Sequence, residues 1–504
     1  MLRSRVTPLL GLLWFAPALA GQASPYLPLD DPRLPLVEHL IAAGDVEDPS
    51  PNVRPFRQAD LLVMLNAALA HRVARDTGLI AELSRSFAED TGETWWRVAG
   101  RAGGQGVTEA RRDPLHPGGP GGVQPYVELG LAARFENLLL VSRPALEPRL
   151  VDDPDWPGRK NLEVTGRHLE GYLAAQFRFV RLIYGQLDQN WGPVGAPGIP
   201  LSDYGYPLPH LGLEIGTARF RLTAQASTLA DLADTAGRTV HRYFFAHRID
   251  ARLSRQLQIG LWETVVLGGP ERSFDSRYRN PVTLLLLANE YGLGDDGNIL
   301  MGVDLRWHPS RRLTLLAQLA LDDIQYQNRS GPGRYPDRYA LTLAATGPLS
   351  RSIAWRALYT RATSLAFRTT NPYESFTDQG VGLGRSFADN DQATLRFTRP
   401  ARRRWLASGE LTLLRQGEGA LNQPFPNETQ VDSIPTIFIG TTERTWRAAV
   451  GLTGSEGPLT LAGNIGVHFV DNADHVAGRS RTELAARLQL TLGFARSGTF
   501  SHEP

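Results

Sequence analysis

Residues 484–494 read L-A-A-R-L-Q-L-T-L-G-F, and this stretch decides how the rest of the chain is interpreted. Its large apolar residues alternate with smaller or polar ones, which places them on one face of a β-strand. A tilted strand of this length crosses a bilayer. One face then suits lipid and the other a polar interior. A half-buried strand of a soluble β-sandwich shows the same alternation, so this segment alone leaves both interpretations open.

The same period of two residues returns in many segments from residue 123 onward. They include 127–136, 301–307, 313–321, 353–360, 393–398, 446–453 and 459–469. Short turns such as Gly457-Pro458 alternate with longer polar connections such as 416–435, which is typical of a membrane barrel. At about 20 residues for a strand and its loop, residues 123–497 predict an all-β transmembrane barrel of about 16–18 antiparallel strands, with 18 favoured.

The first 122 residues have a different character. Residues 1–20 are expected to be a signal peptide, with a charged start, a short apolar core and Ala18-Leu19-Ala20 at the cleavage site. Helical spacing follows in three segments, Leu36–Ile41, Arg57–Val73 and Leu79–Phe87. A glycine- and proline-rich linker closes the region. The sequence therefore predicts a small α-helical periplasmic region and linker at 21–122, the barrel at 123–497 and a C-terminal tail at 498–504.

Composition and motifs exclude several classes of function. The formal net charge of +1 predicts no nucleic-acid partner. The absence of cysteine excludes disulfides, thiolate nucleophiles and cysteine-based zinc sites. The sequence contains no H-E-x-x-H, G-x-S-x-G or phosphate-loop motif, so we expect no cofactor, no metal site and no enzymatic activity. Asp322-Asp323 is a carboxylate pair of the kind that hydrolyses glycosides, but neighbours in a strand face opposite ways and would not converge on one bond.

Arginine recurs on the face predicted to point inward, at Arg134, Arg178, Arg306, Arg356, Arg396, Arg447 and Arg487. Acidic residues such as Glu128 and Asp304 accompany them. Ion pairs that connect neighbouring strands explain this pattern structurally. A lumen that attracts anionic sugars or solutes explains it functionally, because the guanidinium fork matches carboxylates.

The most unusual stretch is Y-G-Q-L-D-Q-N-W-G-P at 184–193, which follows a predicted strand and leads into a loop rich in glycine and proline. Trp191 offers an aromatic face to sugar C–H groups, and Asp188, Gln189 and Asn190 offer partners for sugar hydroxyls. An interfacial tryptophan beside a structural turn explains the same residues without a ligand.

The segment G-Q-L-D-Q-N-W-G-P resembles the G-x-x-D-x-x-W-G-P signature of the Wzi family, the outer-membrane capsule-assembly proteins. Other segments resemble the family in the same order: H-R-I-D at 247–250 and L-W-E-T-V-V at 261–266 before N-P-V at 280–282, then G-N-I-L-M-G-V-D at 297–304 and L-A-L-D-D at 319–323. The resemblance covers about 125–325, and the rest of the barrel resembles the family only in general pattern.

The resemblance implies an 18-stranded barrel in the outer membrane of a Gram-negative-type bacterium, with a helical region near its N-terminus. It also implies lectin-like, non-catalytic binding of surface or capsular polysaccharide, with membrane lipid as the other partner. The candidate residues, as polysaccharide contacts or family-motif positions, are Asp188, Asn190, Trp191, Gly192, Pro193, Asp304, Arg306, Asp322 and Asp323.

Two alternatives stay open. The first is a porin or channel with an arginine-lined lumen and a periplasmic anchoring domain, and the second is a surface enzyme acting on glycans. In addition, P-L-V-E-H-L-I-A-A-G-D-V at 35–46 and R-P-F-R-Q-A-D at 54–60 resemble helix–loop–helix modules of cell-wall-binding surface proteins. That likeness implies contact between the N-terminal region and the cell wall.

Overall fold

The computed structural model describes residues 23–70, 75–88, 94–108, 113–116, 120–153, 155–156, 158–162, 164–270, 272–275, 277–290, 297–323, 335–402, 404–427, 431 and 433–500. The predicted signal peptide at 1–20 lies outside them. The α-helices are α1 Leu34–Ala42, α2 Gln58–Ala70, α3 Thr77–Ala88 and α4 Leu285–Glu290. Within the described ranges, no helix is long and apolar enough to cross a membrane.

The strands follow one another around a single sheet. They are β1 Thr94–Val107, β2 Gly122–Phe135, β3 Leu138–Leu146, β4 Gly166–Gln176, β5 Val180–Gln186, β6 Pro209–Gly216, β7 Phe220–Ala233, β8 Thr239–Arg252, β9 Leu257–Pro270, β10 Asn298–Ser310, β11 Leu313–Asp323, β12 Arg338–Pro348, β13 Ala354–Ala362, β14 Thr377–Asp378, β15 Val381–Gly382, β16 Asn390–Arg402, β17 Trp405–Gln416, β18 Glu443–Glu456, β19 Leu459–Asp471 and β20 Ser480–Gly498.

All of these except β14 and β15 form one 18-stranded antiparallel sheet, while β14 and β15 pair separately. The sheet closes because β1 pairs with both β2 and β20, with Trp96 opposite Gly498 and Val107 opposite Arg487. A closed sheet has no free edge, so every strand has its backbone N–H and C=O groups paired with neighbouring strands. β-strands can cross a lipid bilayer only under this condition. The predicted fold class and the favoured strand number are confirmed.

The outer face of the barrel is apolar, as the alternation in 484–494 predicts. On β20, Leu488 is 49% exposed and Phe494 is 66% exposed, whereas Ala485 and Thr491 on the inner face are 4% and 2% exposed. Exposed leucine, valine and aromatic side chains continue around most of the wall. Such a surface is stable only where lipid replaces water around it.

The two ends of the barrel differ. At one end the strands are joined by tight connections such as 136–137 and 457–458, and we call it the short-turn end. At the other end the connections are longer, such as 187–208 and 363–389, and we call it the long-loop end. The N-terminal region 23–88 lies at the short-turn end. There His39 contacts Thr398 at 2.9 Å, and Leu406 of β17 packs into the apolar core of α1, α2 and α3.

The barrel starts earlier than residue 123. Strand β1, Thr94–Val107, lies within the segment predicted to be helical region and linker, so that boundary is corrected. The alternation is hidden in β1 because small residues (A-G-G-Q-G at 102–106) replace apolar ones. At Gly103 the wall leaves no room for a side chain, since a Cβ would lie 2.8 Å from the Cα of Thr491 on β20.

Segments of the long-loop end fold back into the lumen. We call residues 187–208 and 363–389 together the inner plug. Its buried residues Trp191, Ile199, Phe367 and Leu383 form one apolar cluster with side chains of the wall, among them Phe244, Trp262, Leu300, Ala320 and Ala340. Barrels of about this strand number otherwise enclose a water-filled channel. Here a packed apolar core lies inside the barrel against strands β7–β13.

Candidate functional site

Asn190 organises the inner plug. Its backbone exchanges two hydrogen bonds with Arg54 of the N-terminal region, at 2.9 and 3.0 Å. Its side-chain amide donates to the carbonyl of Ala196 at 3.1 Å and accepts from the N–H of Gly198 at 2.5 Å. The side chain is therefore occupied in closing its own loop, and the segment joins the plug to the N-terminal region.

Trp191 lies inside the plug and is only 1% exposed. Its backbone N–H donates to the carbonyl of Leu201 at 2.9 Å, and its carbonyl accepts from the amide of Gln318 on β11 at 2.8 Å. The stacking of a sugar on this ring stays a prediction; in this structure the ring is buried within the plug. Trp191 anchors the apolar core of the plug.

Gly192 and Pro193 complete the same turn. A Cβ on Gly192 would lie 2.6 Å from the Cα of Gly198 and 2.9 Å from Oε1 of Gln318, so only glycine permits this close approach. The carbonyl of Pro193 accepts from the N–H of Ala196 at 3.3 Å. The W-G-P part of the motif is thus a packing requirement of the inner plug.

Asp304 belongs to a buried ion-pair network in the wall beside the plug. The Arg248 guanidinium pairs with Asp304 and with Asp250, the latter at 2.7 Å, and Nε1 of Trp262 donates to Asp304 at 3.2 Å. Arg248 also lies 6.0 Å from the ring centroid of Trp191. Four of the family-like segments, at 185–193, 247–250, 261–266 and 297–304, therefore meet at this point.

Asp322 holds the other half of the plug. Its carboxylate accepts from the backbone N–H of Phe367 at 2.7 Å and lies 3.7 Å from Arg338. The backbone of Asp323 pairs with that of Arg338 in the sheet. Because the Asp322 carboxylate already fixes the segment 363–389, its place in the fold is structural.

A cleft of about 50 Å³ lies between the two segments of the plug and strands β6 and β7 of the wall. We call it the upper cleft. Its polar lining comes from four separate segments and includes Asp188, Gln189, Ser202, Tyr206, His210, Gln225, Asp378 and Gln379. Carboxyl, amide, hydroxyl and imidazole groups side by side suit the hydroxyl groups of a sugar. Of the predicted candidates, the structure places Asp188 here.

The aromatic side of the cleft is Tyr206. Trp156 packs against the Tyr206 ring edge to face, with ring centroids 4.8 Å apart. The guanidinium of Arg167, on β4, lies 5.1 Å from the centroid of the Tyr206 ring. Its hydroxyl donates to Asp153 at 2.7 Å. No spacing signal in the sequence could have selected Tyr206, because only the inward fold of 187–208 brings it beside Asp188.

Asp188 has an unusual ionisation. Burial raises the pKa of its carboxyl well above the ordinary value, and the Asp203 carboxylate raises it further, while Arg167 opposes both. A carboxyl with a raised pKa keeps its proton to higher pH and can then donate a hydrogen bond. In the cleft this group can serve as donor or acceptor toward a hydroxyl.

Arg306 lies elsewhere, in a chamber of about 560 Å³ at the short-turn end. It is 6% exposed, and its guanidinium donates to the carbonyl of Arg255 at 3.4 Å. The chamber is also lined by Arg311, Arg356 and four acidic residues of the N-terminal region, Glu38, Asp45, Glu47 and Asp48. Arg178, predicted to face inward, instead lies exposed in the turn between β4 and β5. Of the seven predicted arginines, two, Arg306 and Arg356, line this mixed-charge chamber, and the other five lie elsewhere.

Comparison with known proteins adds two findings. Residues 131–323 match the model of the family described as capsule assembly protein Wzi, so the resemblance is confirmed over that range. The solved structure of Wzi from Escherichia coli, described as a carbohydrate-binding β-barrel of the outer membrane involved in group 1 capsule assembly, has a TM-score of 0.64 at 13% identity. The match covers 94% of this chain and 99% of that chain.

Other solved barrels match less well. OprD from Pseudomonas aeruginosa has a TM-score of 0.43 at 10% identity, covering 81% of this chain and 96% of that one. OccK2 (OpdF) from the same organism, in complex with glucuronate, has a TM-score of 0.43 at 9% identity, covering 81% and 98%. No curated protein matches the sequence.

Proposed function

We propose that this chain, which carries the Wzi family pattern over residues 131–323, is an outer-membrane barrel that binds and organises surface polysaccharide without catalysis. The observation that carries the proposal is the inner plug, whose apolar core packs inside the barrel against strands β7–β13 of the wall. The plug supports a surface of folded protein at the long-loop end of the barrel. A polysaccharide chain can be held at that surface without passing through the barrel. The carbohydrate binding described for the similar Wzi barrel supports the same function.

The orientation follows from the connections. Bacterial barrels keep short turns in the periplasm and longer loops outside. The N-terminal region would then lie on the periplasmic side, where contact with the cell wall is possible, and the apolar belt would contact membrane lipid. The upper cleft would open toward the cell surface, on the side where capsular polysaccharide is held.

In this proposal the upper cleft is one anchor point for the polysaccharide. Its free volume of about 50 Å³ admits part of a sugar unit, so the remaining contacts come from the rim around it. Asp188, Gln189 and Tyr206 supply hydrogen-bonding groups and an aromatic edge. Weak contacts of this kind hold a polysaccharide at the cell surface when many of its repeat units bind many barrels at once.

Replacing Asp188 with alanine is expected to weaken polysaccharide binding about fivefold, because one hydrogen bond contributes about 1 kcal/mol. Asp188→Asn should retain most of the affinity, since a neutral amide replaces a carboxyl whose raised pKa favours its neutral form. Binding would be measured by biolayer interferometry on barrels in nanodiscs, against a panel of neutral and acidic capsular polysaccharides.

Asp231→Ala is the matched control, because this acidic residue lies near the same end of the barrel and pairs with His241 at the surface, where it is half exposed. Heat-modifiable mobility on gels verifies that each variant is folded. Equal binding by Asp188→Ala and Asp231→Ala would remove the upper cleft from the proposal. Failure of the unaltered protein to bind any member of the panel would count against the function itself.

A further inference from the structure

Two histidines and a glutamate from distant parts of the chain meet in the barrel near the long-loop end. His116 lies in the connection between β1 and β2, His468 in β19 and Glu483 in β20, and their candidate ligand atoms all lie within 4.8 Å of one another. His468 is 0% exposed and His116 is 6% exposed. His116 and Glu483 are 367 positions apart, so spacing along the chain does not reveal the cluster.

The ring of His116 is held by a carboxylate on each side. Its Nδ1 lies 2.7 Å from Asp113, and its Nε2 lies 3.0 Å from Oε1 of Glu483. Asp113 is itself fixed, because its other oxygen accepts the backbone N–H groups of Leu115 and His116 at 2.8 and 3.0 Å. A carboxylate on one ring nitrogen, with the opposite nitrogen aimed at a ligand set, is the usual support of a metal-binding histidine.

The remaining members surround the same point. Nδ1 of His468 lies 3.6 Å from Oε1 of Glu483, and the two imidazole rings meet edge to face with centroids 4.8 Å apart. The other oxygen of Glu483 pairs with Nε of Arg481 at 2.7 Å. Arg481 is balanced in turn by Asp474 at 3.4 Å. The Glu483 carboxylate therefore has one oxygen in an ion pair and one directed between the histidines.

We propose that His116 Nε2, His468 Nδ1 and Glu483 Oε1 bind one divalent transition-metal ion of the zinc type, with water as the fourth ligand. Two imidazoles and one carboxylate are a ligand set typical of zinc, whereas calcium and magnesium require oxygen ligands. Tetrahedral zinc holds its ligand atoms about 3.3 Å apart, so the widest pair must close by about 1.5 Å through side-chain rotation.

Such an ion would join three parts of the barrel. It would fasten the connection between β1 and β2 to the inner face of β19 and β20, next to the place where the first strand meets the last. Thr108 already makes hydrogen bonds there to the backbone of Leu484 and Ala486, at 2.9 and 2.8 Å. Metal binding should therefore stabilise the long-loop end of the barrel closure.

The test uses the full chain purified without a histidine tag, stripped with a chelator and titrated with zinc chloride. One zinc per chain is expected by calorimetry and by elemental analysis, and cobalt(II) should give the visible absorption of a four-coordinate site. His116→Gln and His468→Gln should each weaken zinc binding by at least about tenfold.

His247→Gln is the matched control, because His247 is also buried and also faces a glutamate, Glu263, at 3.4 Å, but on the outer side of β8 and β9. It should bind zinc as the unaltered protein does. A second readout needs no variant: zinc should raise the temperature at which the unaltered barrel loses its folded gel mobility. Absence of zinc binding by the unaltered protein, or equal affinity in the His468→Gln and His247→Gln variants, would overturn the proposal.

Discussion

Replacing Arg248 with alanine is expected to lower the free energy of unfolding of the barrel by about 3–5 kcal/mol, the usual cost of removing one partner from a buried ion pair. Arg248 and Asp304 each have only 1% of their side chain exposed, and Asp250 has 11%. Without the guanidinium, the Asp304 carboxylate remains buried beside an apolar core and loses the cation that balances it. The cation above the ring of Trp191 is lost at the same time.

The measurement is urea unfolding of the folded barrel in lipid vesicles, followed by tryptophan fluorescence and by gel mobility. Arg238→Ala is the control, because Arg238 pairs with Asp234 at 2.7 Å while its own side chain is 63% exposed. Exposed pairs contribute little to stability, so the control should unfold at the urea concentration of the unaltered protein. Equal midpoints for the Arg248 and Arg238 variants would show that the network around Asp304 does not hold the plug.

The barrel wall was predictable from the sequence because lipid imposes one rule on every strand. Leu488, Leu490 and Phe494 must face lipid, so their alternation with Arg487, Gln489 and Thr491 is visible without any tertiary information. Strand β1 was missed because four of its outward-facing positions, Gly100, Ala102, Gly104 and Gly106, are small residues instead of large apolar ones. In such a strand the pattern of residue size carries no period, and only its pairing with β2 and β20 defines it.

The inner plug was not predictable in the same way. The conformation of a loop that returns into the lumen depends on its packing against residues distant in sequence. The sequence around Trp191 is the same whether its ring contacts a sugar or Phe244. One signal was nevertheless present. Residues 243–246 read Y-F-F-A, with no polar residue between apolar ones. There Phe244 packs against the plug and Phe245 against Tyr278 and Leu285 of the connection that carries α4, so both faces of β8 are covered by protein.

The candidate residues divide for a physical reason. Asp304 and Asp322 act at short range on the plug, through Arg248 and through the N–H of Phe367, and such roles require burial. A polysaccharide contact requires access, and Asp188 is half-buried where it lines the upper cleft. Tyr206 and Asp378 join it from positions that no local motif marks. The assignment of the nine residues as polysaccharide contacts stays a prediction that binding measurements must decide.

Removing the two obstructions in the lumen is expected to convert a silent barrel into a conducting one. The unaltered protein should give no stable open steps in a planar bilayer, because the inner plug packs inside the barrel against β7–β13 and the N-terminal region packs against β17 at the short-turn end. The alternative of a porin with an arginine-lined lumen requires the opposite. Conductance therefore separates the two functions that the sequence left open.

Two changes and their combination locate the obstruction. The first removes residues 23–88 and stops before Thr94, since β1 is needed for closure. The second replaces 192–207 and 364–388, the greater part of both plug segments, each with a short glycine–serine linker, and keeps Trp191 to cover the apolar side chains of the wall. The N-terminal truncation alone should stay silent, because it removes from the plug only the contact of the partly buried Val53 and the two backbone hydrogen bonds of Arg54, and leaves the core of the apolar cluster in place. The combined variant should show stable open steps, as an unobstructed lumen of this strand number would.

The outcomes have different meanings for function. Conductance of the truncated protein alone would identify the N-terminal region as the plug and give the chamber around Arg306 a place on a permeation path. Stable conductance steps in the unaltered protein would show that the inner plug does not block the lumen. Transport would then become the leading function of the barrel. No conductance in the unaltered protein, with conductance only after both changes, would mean that the inward-facing Phe244, Trp262 and Leu300 pack against the plug. A wall that uses those positions for a core cannot also line an aqueous path, and its function must then lie at the cell-surface end.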